Sequence, residues 1–310
     1  MTRLHSLLCL SSLAVFSLAC SPKETEEEML ERTAVDVRVP IPAADPKFID
    51  FVGAEKIIKS GEDSMTCTHL LYQGEDLAYD LADTLQGKFG HHFVILKAKN
   101  PLPPGTSEDC SKPEDMAKFD ILTMPSFELS ANQAFMMRKG TPIVMQSHYV
   151  NTGKDPIRTR DLLRFRRVDA AKVTTWAAAA GSYLEKFEIK PGEQATRSYD
   201  CVVPRDYKSI LFGGHMHEWG KKFVLSYAAT PADTMKELYR VDEWIAHYRD
   251  DPPTLLMTKN PMDLPKGSVL RVECTWFNDT KESLSHPHEM CTTFGVLLGS
   301  QEPWLCKGDK

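Results

Sequence analysis

The chain has 310 residues and a formal net charge of −6, with acids and bases interspersed along it. That length holds one large or two medium domains. The absence of a basic stretch removes the electrostatic footprint that nucleic-acid binding needs, and leaves small or neutral substrates open.

Residues 1–20 read as an export signal. Arg3 gives a positive start, Leu7 to Ala19 supply an apolar run, and Cys20 follows Ser17-Leu18-Ala19. This is the layout of a bacterial lipoprotein lipidated at Cys20, although Ser17 stands where Leu is usual. Simple secretion and an uncleaved anchor are the alternatives. No other stretch approaches the ~20 apolar residues of a membrane span. The expected location is therefore the bacterial cell envelope, facing periplasm or cell surface, with membrane contact through the lipid only. Residues 21–34 are charged and poor in apolar groups, which predicts a disordered tether.

From Val35 the pattern changes to short alternating runs. Val35 to Val39 alternates until Pro40, and Asp63 to Tyr72 forms a second run with Cys67 inside it. Glu75 to Leu85 reads either as a short helix or as loop and strand. His91-His92-Phe93-Val94-Ile95-Leu96-Lys97 reads as a buried strand entered through two histidines. Adjacent strand side chains face opposite ways, so His91 and His92 can share one ion only if the backbone is bulged there or the ion sits at the sheet edge. Otherwise the pair is one buried histidine beside an exposed one.

Residues 98–120 are a proline-rich loop that Cys110 can pin to a sheet. Pro142 to Val150 is a strong strand prediction with His148 near its end. A domain boundary is expected at about 170–178, near the Ala-rich 177–181. The second half resumes with a turn at Lys190-Pro191-Gly192-Glu193 and a strand entering Cys201. Ser209 to Tyr227 is apolar around Gly213, Gly214 and Gly220, and places His215 and His217 two apart, on one face of an extended strand. Alone, such a pair also reads as two polar side chains at a strand end. Trp244 to Tyr248 and Val269 to Phe277 are read as strands, as is Glu289 to Leu298, which carries Met290. A thioether beside two imidazoles is a copper-leaning donor set, because soft sulfur favours Cu(I). His286 and His288 lie close by, read as exposed loop residues or as substrate contacts or alternative ligands. Many short strands with few helical periods predict an all-β fold of sandwiches.

Setting aside Cys9 and Cys20 leaves six cysteines, two before residue 170 and four after 200. An even number in an exported chain predicts three disulfides, and no CxxC spacing suggests a thiolate metal site.

With the histidines placed, the chain resembles the copper type II, ascorbate-dependent monooxygenases, the family of peptidylglycine alpha-hydroxylating monooxygenase and dopamine beta-monooxygenase. The resemblance runs from about Val35 to Cys306. It rests on His91-His92, Gln146-Ser147-His148-Tyr149, His215-Met216-His217 with Gly220-Lys221, and Glu289-Met290-Cys291, in that order and rough spacing. It implies two antiparallel jelly-roll-like β-sandwich domains facing across a cleft, 35–172 and 173–310. The first would hold an electron-transfer copper through His91, His92 and His148. The second would hold an oxygen-activating copper through His215, His217 and Met290. The implied disulfides are Cys67–Cys110, Cys201–Cys306 and Cys274–Cys291. The implied chemistry inserts one atom of dioxygen into a C–H bond, using two copper ions per chain and ascorbate or another one-electron reductant.

Three positions where the peptide enzyme is polar differ here. Gly213 replaces an arginine that helps anchor the peptide carboxylate, Phe294 a tyrosine, and Thr292 an asparagine. All three changes remove polar grip, so these possible substrate contacts predict a small, non-peptide, apolar substrate. Two other function classes compete with the monooxygenase. One is an exported copper-binding protein for storage, delivery or sensing, and the other is a structural or adhesive lipoprotein.

Overall fold

The computed structural model describes residues 24–308. The export signal and Cys20 lie outside the described residues. The expected tether is in part an α-helix, Glu26–Thr33. Thr25 and Glu28 close a capping box: the Glu28 N–H donates to Thr25 Oγ1 at 3.2 Å, and the Thr25 N–H donates to Glu28 Oε2 at 2.9 Å. Three glutamates in the first turn and Arg32 in the last suit the helix dipole. Composition pointed to disorder, and a four-residue capping motif overrode it. The helix rests on the body through Lys59 and Glu26 at 2.5 Å and through Arg158 on the Glu31 carbonyl at 3.0 Å.

The rest is all β, almost entirely antiparallel, in two sandwiches. In the first half, Ser107–Asp109, Asp63–Leu71, Pro142–Val150, Gly90–Ala98 and Phe119–Thr123 form a five-stranded sheet in that order. In the second, Gln194–Val202, Val269–Phe277, Gly220–Ala228 and Lys236–Val241 form a four-stranded sheet. Each lies over part of one ten-stranded sheet that runs through both halves. The join is the strand Thr175–Leu184. Its first residues pair in parallel with Gln133–Met137 of the first half, and its length pairs with Thr292–Leu298 of the second. Leu77–Leu85 is a strand of the same sheet, which settles the helix-or-strand reading of 75–85.

Alternation along Tyr207–His215 and Thr292–Leu298 serves two cores at once. Phe212 and Leu297 face a cluster with Phe223, Leu225 and Trp276. Leu211, Phe294 and Val296 face the cluster of Tyr79, Phe135 and Phe165. The disulfides are Cys67–Cys110, Cys201–Cys306 and Cys274–Cys291, one in the first half and two in the second, and they fit an exported protein.

Three local expectations need correction. Trp244 to Tyr248 is not a strand; Ala246–Arg249 is a 3-10 turn. Trp244 and Tyr248 meet edge to face at 5.7 Å, a contact made by turn spacing, and Pro252-Pro253 follow and cannot donate to a ladder. The strand Tyr207–His215 stops at His215, so His217 lies beyond it in the turn, where its carbonyl accepts the Gly220 N–H at 3.2 Å. Met290 likewise precedes its strand, which begins at Thr292, because the Met290 N–H is taken by a side chain.

Gly213 pairs opposite Phe294, and a Cβ built on it would lie 2.2 Å from the Phe294 ring. The ring is packed in the core and cannot swing away. Gly213→Ala should lower stability by ~1–3 kcal/mol in chemical denaturation. The penalty should shrink in a Phe294→Leu background, and strict additivity would show that the ring is not what excludes the methyl group.

Candidate metal centre

The first group of donors is built by a bulge. Pro142–Val150 pairs with Gly90–Ala98 so that His148 faces His92, yet Tyr149 faces Gly90. The register shift skips His91, which lets His91 and His92 both turn toward His148. Ring centroids lie 4.9 Å apart for His91 and His148 and 4.6 Å for His92 and His148. Tyr149 holds the entry to the bulge: its hydroxyl donates to buried Asp161 and accepts the Gly87 N–H at 2.9 Å.

His148 Nε2 lies 2.6 Å from Asp63 Oδ1. A carboxylate accepts, so Nε2 carries the proton and Nδ1 is left with its lone pair, 3.1 Å from His92 Nδ1. Burial pulls the His148 pKa below its ordinary value despite the Asp63 hydrogen bond, which favours the neutral, ligating form. The fourth member comes from the other half. Asp250 Oδ1 is 3.2 Å from His92 Nδ1 and Oδ2 is 3.7 Å from His91 Nδ1. Donor atoms of these four residues all lie within 4.8 Å of one another. Three imidazoles and a carboxylate suit a first-row transition metal.

The second group sits at one end of the shared sheet. His215 ends its strand opposite Thr292, two residues after Met290. The His215 and His217 rings lie 5.2 Å apart and nearly perpendicular at 85°. Burial draws both below the ordinary histidine range, His215 further by the charge of His217. His217 Nδ1 lies 2.8 Å from the His288 carbonyl, so Nδ1 carries the proton and Nε2 is the free donor. Thus His288 acts through its backbone while its ring is exposed, and half-buried His286 stacks on Tyr183 at 5.6 Å.

Glu289 is fully buried beneath this group. Its Oε1 accepts the backbone N–H of both His217 and Met290, each at 2.7 Å. One carboxyl thereby ties the turn that carries an imidazole to the segment that carries the thioether. Cys291, next in sequence, is bound to Cys274 of the neighbouring sheet. Glu289 Oε2 has no hydrogen-bond partner; the Trp276 indole lies beside it but outside hydrogen-bond geometry. Thr292 is half-buried at the His215 edge, whereas the Phe294 ring covers Gly213 inside the core.

An ion-pair chain connects the two groups. Arg249 Nε and Nη2 donate to Asp250 at 3.1 and 3.3 Å, and its Nη1 donates to Glu218, the residue after His217. Burial would raise the Asp250 carboxyl, but the hydrogen bonds and charges of His92 and Arg249 outweigh it and hold the group below the usual carboxylate range. Sequence reasoning missed Asp63, Glu218, Arg249, Asp250 and Glu289 in these roles. For Asp250 a signal existed in Asp250-Asp251-Pro252-Pro253, a turn-forming run, and loops carry many site residues.

No family model and no curated protein matches the chain. Among solved structures it is similar to the STIV MCP, at 10% identity over 81% of this chain and 96% of that one, with a TM-score of 0.32. It is also similar to the major capsid protein P2 from bacteriophage PM2, at 9% identity over 79% and 97%, with a TM-score of 0.30. Likeness at that level carries no argument about function.

Burial pushes the Glu289 pKa up from 4.5 to about 7, so folding takes up a proton between those values. Its stabilising contribution is complete below pH 4.5 and is lost as pH rises through about 7. In the metal-free protein Glu289→Gln, which keeps an acceptor oxygen, should gain on wild type by up to ~3 kcal/mol across that window. Urea unfolding at several pH values reads this, and parallel profiles would mean the carboxyl is ionised in the native state.

Proposed function

We propose that the chain is a copper-dependent monooxygenase of the ascorbate-dependent type. In this reading it is held at the bacterial envelope through lipidated Cys20 and hydroxylates a C–H bond of a small, non-peptide substrate. The observation that carries the reading is the pair of donor groups. One is all nitrogen and carboxylate, and in the other a buried carboxyl ties the backbone of Met290, the only thioether of the expected six-ligand set, to the turn of His217 beside His215. Copper at these positions would supply one-electron redox chemistry and dioxygen activation, with ascorbate or a similar reductant as electron source.

The chain's own residues do the positioning. Asp63 and the His288 carbonyl fix the tautomers of His148 and His217, so that Nδ1 of one and Nε2 of the other are free to ligate. Glu289 keeps the Met290 segment against the His217 turn. Thr292, half-buried at the His215 edge where the resemblance has an asparagine, supports a small, non-peptide substrate. A second reading, copper storage, delivery or sensing, is favoured by one feature: His91 is exposed, and an ion held partly by it is open to exchange.

Loading the reduced protein should give two copper ions per chain, and His148→Ala should lose one of them while the Met290 site stays filled. Met290→Ile keeps the side-chain bulk, at a cost below ~1.5 kcal/mol, and removes the sulfur donor. The copper–sulfur signal in X-ray absorption of the reduced protein should vanish in this variant, together with ascorbate-dependent oxygen uptake. A wild type that holds both ions but consumes no oxygen with any reductant across a broad substrate screen would decide for the storage reading.

A further inference from the structure

The first donor group is not complete within its own half of the chain. His91, His92 and His148 all come from one sheet, whereas Asp250 follows the 3-10 turn Ala246–Arg249 of the other half. Both oxygens of its carboxylate are engaged, one toward each of the adjacent histidines, at 3.2 and 3.7 Å. The carboxylate is not there by chance of a mobile side chain. Its side chain is only 9% exposed, and both oxygens also accept from Arg249, Oδ1 from Nε and Oδ2 from Nη2.

Three of the donor separations approach those of ligands around one ion, and all the donor atoms lie within 4.8 Å of one another. Donors at metal–ligand distances near 2.0–2.1 Å in a four-coordinate tetrahedral shell lie about 3.3 Å apart. The separations here are 3.1 Å for His148 to His92, 3.2 Å for His92 to Asp250 and 3.7 Å for His91 to Asp250. The arrangement of lone pairs agrees. With Nε2 of His148 committed to Asp63, two Nδ1 atoms face each other where at most one proton fits between them.

We propose that Asp250 is a fourth, anionic ligand of the ion held by His91, His92 and His148, donated across the two halves. The inference rests on reading that group as a metal site. A hard carboxylate oxygen binds Cu(II) better than Cu(I), so Asp250 stabilises the oxidised ion and lowers its reduction potential. It also makes filling of the first site depend on how the second half is seated.

The test uses the full mature chain carrying His215→Ala and His217→Ala, so that only the first site takes copper. Asp250→Asn keeps the shape and one acceptor oxygen but removes the charge. Expected is a loss of at least tenfold in Cu(II) affinity by chelator competition, with Cu(I) affinity changed by less than threefold. Each tenfold of that difference raises the reduction potential by about 59 mV. The Cu(II) electron paramagnetic resonance spectrum should shift toward weaker in-plane oxygen donation. X-ray absorption of the parent Cu(II) protein, which needs no change at Asp250, should fit three imidazoles and one further oxygen of a carboxylate. Unchanged affinities and spectra in Asp250→Asn, with copper still bound through three imidazoles, overturn the inference alone. Failure of the parent protein to bind copper any better than its His148→Ala variant overturns the metal site and the inference together.

Discussion

The strand Thr292–Leu298 is buried on both faces, and the placement of both donor groups follows from that constraint. Phe294, Val296 and Leu298 belong to one core and Leu297 to the other. A slip of one residue would exchange the two sets, so register is strongly fixed. Fixed register puts Thr292 opposite His215, and therefore Met290 at the same sheet end as the two histidines. The same strand seats the second half's sheet on the first half's core, which is what brings the 246–250 turn to the bulged histidines. A site that draws on both halves needs such a rigid join.

Polar groups at this join are costly in isolation and consistent in combination. Glu289 sits in a nearly apolar setting with one oxygen unpaired, and the Nδ1 atoms of His148 and His92 meet at 3.1 Å, where at most one proton fits. Such arrangements lower stability unless they answer to chemistry. They occur at the two histidine groups, and the ion-pair chain of Asp250, Arg249 and Glu218 runs between them.

Much of the fold was legible because strands announce themselves by alternation and proline. Pro142–Val150 and Val269–Phe277 were readable to the residue, since each is bounded by turn chemistry. A bulge at His91-His92 was readable as one of two ways, with an ion at the sheet edge, for neighbours to share an ion, because period-two geometry sends adjacent side chains to opposite faces. The pairing of the cysteines followed only from family resemblance, as spacing leaves it open. The turn at Asp250 was readable from its Asp-Asp-Pro-Pro run, but not its partner: it lies 102 residues beyond His148 by numbering, and only the tertiary fold brings the two together. The helix at Glu26–Thr33 was missed because its capping box was outweighed by composition. Tertiary contacts and short local motifs are the two scales at which composition is blind.

The sharing of one core between distant segments has a consequence for how an exported chain acquires its structure. As it emerges N-terminus first, the Cys67–Cys110 loop can close early, over 43 residues. The wall of the first sandwich formed by Ile210, Leu211, Phe294 and Val296 has not yet arrived. Until residue 298 is available, the side chains around Tyr79 and Phe165 face water, and Cys201 waits for Cys306 across 105 residues. The first sandwich therefore cannot close its core, nor Cys201 find its partner, before the last strands are present.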